Sequence, residues 1–256
     1  MKVIEIENLT FTYDPRAFEP VLKNLSFSVE QGDFLSIIGP NGSGKTTLFK
    51  LMTGIIKVSK PCIKIWGRPI NTYNRKELVK YVSALPSAEI IFNQVLKVQD
   101  YLELARYPYL KTFQSLSRVD YSIIENAKKI TNTQRLSGKY LWELSQGELS
   151  RVRIARILAQ DAKIIIMDEP TAHLDIDHKL WLLGALRRLK STGKTVVTII
   201  HDINLAYKYS DKILVLNNGA QEFFGSRDSL QLDLLENIFN VRIKKCRDDI
   251  VFEESF

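Results

Sequence analysis

Gly39-Pro40-Asn41-Gly42-Ser43-Gly44-Lys45-Thr46 separates the apolar run Phe34-Leu35-Ser36-Ile37-Ile38 from a segment carrying Leu48, Leu51 and Met52 at i, i+3 and i+4. The run reads as a buried strand and the segment as an amphipathic helix, ending at Gly54 where a left-handed cap residue is expected. A G-x-x-x-x-G-K-[ST] loop between strand and helix is a phosphate cradle. Without a Cβ, Gly42 and Gly44 let backbone N–H groups turn toward an anion, and the helix amino terminus adds a partial positive charge. Lys45 is expected to reach the β and γ phosphates, Thr46 to place its hydroxyl on Mg²⁺, and Thr47 to add a donor to the α phosphate.

Upstream of this loop, Leu25, Phe27 and Val29 alternate with Ser26 and Ser28, and Gly32-Asp33 forms a turn, so the amino-terminal part is strand-rich. Downstream, from about Asn93 to Trp142, helical patterns over 98–106 and 121–130 are interrupted at Pro108 and Gly138 and predict a helical insert. Past Leu144 the alternation resumes: a helix to about Gln160, a strand over 163–167, a helix around 180–189, a strand over 195–200 and a further helix. Strands and helices alternating at these lengths imply βαβ units and a parallel sheet, with functional residues at the carboxyl ends of strands.

Two such ends carry chemistry. Ile164-Ile165-Ile166-Met167 is apolar on both faces and delivers Asp168 and Glu169. Asp168 is expected to hold Mg²⁺, and Glu169 to orient or deprotonate the attacking water, because phosphoryl transfer needs positioning and charge neutralisation. His201 follows the strand at 195–200, in reach of a γ phosphate, and Asp202 is placed to cap the next helix. His173 and His178 read as loop and helix surface. Ser145 and Glu148 form an S-x-x-E capping box, but Gly147 inside that first turn costs helix stability unless something must approach the backbone closely.

Composition narrows the classes. The 256 residues are 45% hydrophobic and 25% charged, which excludes a largely disordered or collagen-like chain. No apolar run reaches the roughly 18 residues of a membrane span, and the start, MKVIEIENLTFTY, lacks the apolar centre of a secretory signal, so the cytosol is expected. Cys62 and Cys246 are too few for a disulfide framework. The net charge is +7, but basic residues are interleaved with acids; the densest patch, Arg242, Lys244, Lys245 and Arg247, runs into Asp248 and Asp249, and no nucleic-acid partner is expected.

GPNGSGKT, LSQGE, IIIMDEP, TAHLD and IIHD, in this order and at these intervals, resemble the ATP-binding-cassette ATPases over nearly the whole chain. The resemblance implies an α/β fold: a P-loop NTPase core with a mostly parallel sheet, an N-terminal antiparallel β subdomain and an inserted α-helical subdomain. It implies one ATPase domain over 1–256, with the nucleotide-binding core in 1–86 and 149–256 and the helical subdomain in 87–148, ending in the signature. ATP would lie between two subunits packed head to tail as a homodimer, held by Gly39, Pro40, Asn41, Gly42, Ser43, Gly44, Lys45, Thr46 and Thr47 of one. Ser145, Gln146, Gly147 and Glu148 of the other would complete the site, with Asp175 in the loop that contacts the partner and Tyr13 stacked on adenine. Two positions depart from the family: Ser87 stands where a glutamine usually touches Mg²⁺ or the attacking water, and Gln146 and Glu148 replace the commoner Gly and Gln of the signature.

ELARYPYL, HDINLAYKYSDKILVLNNG and SLQLDLLENIFNVRI are similar to the ATPase subunits of bacterial importers for iron-siderophore complexes, haem and cobalamin. That branch implies ATP hydrolysis coupled to uptake of a metal chelate, separate integral membrane permease subunits docked on the helical insert, and an extracytoplasmic substrate-binding protein. The subunit itself would be cytoplasmic, peripheral on the inner face of the cell membrane. The alternatives are a soluble cassette ATPase and a regulatory cassette, neither coupled to a permease.

Overall fold

The fold comes from a computed structural model that describes every residue except Pro15, Ala17, Ser59, 88–94, His173, 247–248 and 254–256, with backbone alone for 244–246 and 249–253. In chain order the elements are β1 (Lys2–Phe11), β2 (Leu22–Glu30), β3 (Phe34–Ile38), α1 (Lys45–Met52), β4 (Ile63–Ile65), β5 (Arg68–Pro69), α2 (Arg75–Tyr81) and β6 (Val82–Leu85). Then come α3 (Val98–Glu103), α4 (Arg118–Thr131), α5 (Gln146–Ala159), β7 (Ile164–Asp168), α6 (Ile176–Ser191), β8 (Thr195–Ile199) and α7 (Ile203–Tyr209). β9 (Lys212–Asn217), β10 (Ala220–Ser226), α8 (Leu232–Phe239), β11 (Arg242–Cys246) and β12 (Asp249–Glu253) follow.

One ten-stranded sheet runs β5-β4-β1-β2-β10-β9-β3-β8-β7-β6. β9, β3, β8, β7 and β6 are parallel neighbours, while β1, β2, β4 and β5 pair antiparallel. The P-loop α/β architecture with its antiparallel amino-terminal part is therefore the observed one. Every residue of β3, β7 and β8 is buried, as central parallel strands covered on both faces must be. The two faces feed different cores: Phe34, Ile38, Ile165 and Met167 join the one packed by α5, α6 and α7, whereas Leu35, Ile37, Ile164 and Ile166 join the one that holds Leu48, Leu51 and the antiparallel strands.

Register sets the site. Ile37 pairs with Ile199, and Asp168 pairs with Ile199 on the other side, so β3, β7 and β8 finish level. The loop after β3, the carboxylates after β7 and the histidine after β8 emerge together, although they are distant in sequence.

Between β6 and α5 the chain forms the helical insert. The helix expected over 98–106 divides: α3 stops at Glu103 and Leu104–Tyr109 continue as a 3₁₀ segment with Pro108 inside it, so the proline tightens the helix instead of breaking it. Pro108 has no N–H to give to an i−4 or an i−3 carbonyl, and the segment ends one residue later, at Tyr109. α4 starts at a reciprocal capping box between Ser117 and Asp120. Downstream, α6 begins one turn before the expected start, because Asp175 caps it by accepting from the His178 backbone N–H. Asp202 caps α7 as expected. Of the basic patch, Arg247 and Asp248 lie outside the described residues, and so does His173.

Candidate nucleotide site

The loop closes onto α1 with Gly44 at its N-cap, φ 96°, a left-handed position that glycine takes without strain. Gly39 meets a second limit: a Cβ there would stand 2.1 Å from the Leu216 carbonyl oxygen, so the loop can leave β3 at this angle only without a side chain. Lys45 Nζ donates to the carbonyls of Gly39 and Pro40, 2.8 Å each, and is held inside the loop's own curve. Burial lowers its pKa from the usual lysine value, opposed by the charges of Glu169 and Asp168. An incoming phosphate would favour the charged form.

Around the loop lies a cleft of about 320 Å³ lined by Val21, Asn41, Gly42, Gly44, Lys45, Thr46, Thr47, Glu169 and His201. Three separate strand ends thus meet in one cavity. Tyr13, just past β1 and 56% exposed, hydrogen-bonds through its hydroxyl with Thr47 Oγ1 at 3.2 Å and packs edge-on against Phe11. Its ring therefore stands at the rim of the phosphate loop.

Asp168 closes β7 almost fully buried. Ser87 Oγ donates to its Oδ2 at 3.2 Å, and Thr46 also bonds the carboxyl. Burial raises its pKa, with the Thr46 and Ser87 hydroxyls pulling the other way. Among the described residues, the second oxygen, Oδ1, is buried with no partner, and so is Ser43 Oγ in the loop. Buried polar atoms ordinarily find partners. A carboxylate oxygen left open beside a threonine hydroxyl is a donor set suited to a hard divalent cation. Ser87 meets that set through Asp168.

Glu169 turns the chain sharply, at φ +52°, a conformation costly for a residue with a Cβ. Its N–H bonds the Ile199 carbonyl at 3.1 Å, which ties the strained residue to β8. His201 Nε2 donates to Glu169 Oε1 at 2.6 Å, since a carboxylate can only accept.

A second group stands apart from the cleft. Ser145 and Glu148 form the reciprocal box at the start of α5, Ser145 N to Glu148 Oε2 at 2.9 Å and Glu148 N to Ser145 Oγ at 3.2 Å. The Ser145 N–H, foremost, holds the Glu148 carboxyl below its ordinary value. Ser145, Gly147, Glu148 and Asp175 do not line the phosphate cleft. Gln146 lines a smaller pocket, about 70 Å³, together with Ser87, Arg153, Asp168 and Glu169.

His178 lies on the partly exposed surface of α6, as expected, and makes a specific contact there. Its Nδ1 bonds Asp175 Oδ1 at 2.6 Å, and its ring stands near Gly147, 3.8 Å from where a Cβ on that residue would lie. The signal was present in sequence as an aspartate three residues before the histidine at a helix start, but Gly147 belongs to another helix, and only packing brings it near.

Several known proteins share this architecture. The family described as ABC transporter matches residues 22–172. The petrobactin import ATP-binding protein YclP of Bacillus subtilis (strain 168) is 35% identical over 243 residues, covering 94% of each chain. The iron(3+)-hydroxamate import ATP-binding protein FhuC of the same organism is 30% identical over 243 residues, 94% of this chain and 89% of that one. Among solved structures, an inward-facing transporter described as of metal-chelate ABC type superposes with a TM-score of 0.80 at 26% identity, over 98% of this chain and 96% of that one. The ATP-binding cassette MJ0796, a dimer in a post-hydrolysis state bound to ADP and Pi, superposes with a TM-score of 0.76 at 28% identity, over 89% of this chain and all of that one.

Proposed function

The chain belongs to the ABC transporter family, and from that premise we propose that it is the ATP-hydrolysing subunit of an importer for a metal chelate of the iron-siderophore kind, working through separate permease subunits. No helix among the described residues is long and apolar enough to cross a membrane. In this reading the bilayer is crossed by other chains, and this subunit sits on the inner face of the cell membrane. The import proteins for petrobactin and iron(3+)-hydroxamate, similar along nearly the full chain, support the cargo class.

The observation that carries the catalytic reading is the split of the site. Lys45, Thr46, Glu169 and His201 share one cleft, while Ser145, Gly147 and Asp175 lie outside it on two helix amino ends. A loop that covers one side of a triphosphate leaves the γ phosphate open to a second helix terminus, with its unpaired N–H groups. A second copy would supply it, head to tail. Within one subunit, the loop amides and Lys45 bind the β and γ phosphates, and Tyr13 swings from Thr47 to stack on the base. Thr46 and Asp168 would hold Mg²⁺, which when bound supplies charge neutralisation. Glu169 orients the attacking water and takes its proton, while His201 fixes the Glu169 carboxylate. ATP would then hold the dimer closed and cleavage release it, and the difference in affinity between the two states would move the permease.

Ser87 acts on the metal at one remove, by fixing Asp168. Ser87→Ala is expected to raise the Mg²⁺ concentration for half-maximal hydrolysis about tenfold with little change in the ATP requirement; an unchanged Mg²⁺ titration removes Ser87 from the metal site. For the permease, the helical insert offers a cleft of about 520 Å³ lined by Lys76, Tyr107, Leu110 and Tyr121 among others, with Phe113 fully exposed beside it. Affinity purification of the tagged subunit from membranes tests the whole reading. Recovery of a many-helix permease, and chelate uptake by vesicles carrying both, are expected; recovery of ribosomes or DNA instead would overturn it.

A further inference from the structure

Glu169 stands between two cavities. On one side is the cleft that it shares with Lys45, Thr46 and His201. On the other is the pocket of about 70 Å³, whose walls include Ser87, Asp168 and Glu169 from the strand ends and Gln146, Ser150 and Arg153 from α5. Among the described residues, Glu169 alone lines both. Gln146, Ser150 and Arg153 are spaced i, i+4 and i+7, so they form one stripe along α5. That stripe is polar, whereas Val152, Ala155 and Ala159 of the same helix are buried in the apolar core.

From the cleft side, His201 holds one oxygen of Glu169 through a single bond. One bond leaves a carboxylate able to turn about its side-chain torsions, and a base that must meet one water needs a fixed orientation. The pocket gives access from the other side. Gln146 is the first residue of α5, and the reciprocal bonds of Ser145 and Glu148 fix the backbone on both sides of it. Its carboxamide carries two N–H donors, whereas the Ser145 and Glu148 side chains are spent on the cap. The pocket has room for about two waters, and a bridging water carries a hydrogen bond nearly as well as direct contact. We infer that Gln146 is a positioning residue for hydrolysis: it donates across this pocket, through water, to the Glu169 carboxylate, and with His201 on the opposite side it fixes the group that takes the attacking water's proton. This rests on the reading above, that Glu169 is the base.

The test measures phosphate release and ATP-held dimerisation of the full chain at saturating Mg²⁺. Gln146→Ala keeps the helix start and every backbone N–H, and is expected to lower kcat about tenfold with KM for ATP unchanged to within about twofold. Gln146→Glu has the same shape but cannot donate when ionised, and is expected to lose at least as much. Ser150→Gln added to Gln146→Ala returns a carboxamide to the same stripe one turn further on, and is expected to recover kcat to within about threefold of the parent; a merely structural defect at 146 would not respond. With Glu169→Gln present, so that ATP persists, sedimentation should give dimer dissociation constants within about twofold for Gln146 and Gln146→Ala. Parental kcat in either single variant would overturn the inference, as would a loss that Ser150→Gln leaves in place. So would a dimer weakened in step with kcat, which assigns the Gln146 side chain to the partner's nucleotide instead. If Glu169→Gln alone turns over at the parental rate, the reading of Glu169 as the base fails, and this inference falls with it.

Discussion

Phosphate release by Glu169→Gln is expected to fall by about 10²–10⁴-fold, the range a positioned general base contributes, with ATP still bound. Glutamine matches glutamate in size and can still accept from His201, so the turn at 169 and its N–H bond to Ile199 remain. What it lacks is a carboxylate to take the water's proton. Lys45, Thr46 and Asp168, which would meet the triphosphate and its cation, are untouched, and the ATP-held dimer should accumulate. Stopped-flow phosphate detection and a nucleotide-binding titration on one preparation separate the two effects. Parental turnover would show that another group accepts the proton; loss of binding would show that Glu169 supports the loop instead.

Arg106→Ala should have the largest effect on stability. Arg106 Nε donates to Asp120 Oδ1 at 2.9 Å, and Nη1 donates to the carbonyls of Ala159 and Gln160 at the end of α5, at 3.0 and 3.3 Å. The Arg106 and Asp120 side chains are only 6% and 10% exposed, and the guanidinium lies 4.1 Å from the Tyr109 ring centre. One side chain therefore joins the 3₁₀ segment, the start of α4 and the end of α5. Removing it leaves Asp120 buried without its cation and takes a donor from the Ala159 carbonyl, while the Gln160 carbonyl keeps the Tyr109 hydroxyl at 2.9 Å, a loss of about 3–5 kcal/mol. For a chain of this size that lowers Tm by roughly 10 °C, measurable by calorimetry. Arg106→Met with Asp120→Asn, which removes both charges, should recover part of it. A single variant that melts with the parent would mean the pair is solvated in solution.

The same pair sets an acid limit. Burial alone would raise the Asp120 pKa, but the Ser117 hydroxyl and N–H and the Arg106 guanidinium outweigh it and hold it below the ordinary value. A carboxyl depressed on folding stabilises fully above its unfolded pKa and loses that contribution as pH falls through the folded one. Stability of the insert should thus decline below the ordinary carboxylate range, and the decline should be shallower in the double variant, where this group is absent.

The phosphate loop, the buried strands and the helix starts were legible residue by residue. The alternation at 25–29, the apolar run at 164–167 and the S-x-x-E box at 145–148 are patterns whose physics is contained within a few neighbours in the chain. Where a local pattern had two solutions, the reading faltered: Pro108 ends an α-helix but continues a 3₁₀ turn, and Asp175 is both a loop residue and a cap.

The sequence by itself determined which residues can hold a phosphate and which strand ends can present a carboxylate, because those properties come from the absence of a Cβ, from a fixed charge or from a period of two. It also determined the family, through the order of five motifs. Which of these residues meet was decided only by tertiary structure. The Glu169–His201 bond, the Ser87 hydroxyl on Asp168 and Tyr13 on Thr47 all join distant segments, and His178 stands near Gly147 of another helix. Their approach depends on β3, β8 and β7 lying side by side in one register and on how α5 and α6 settle upon them. Strand order is chosen by the burial of two whole faces at once, and no short stretch of chain carries that sum.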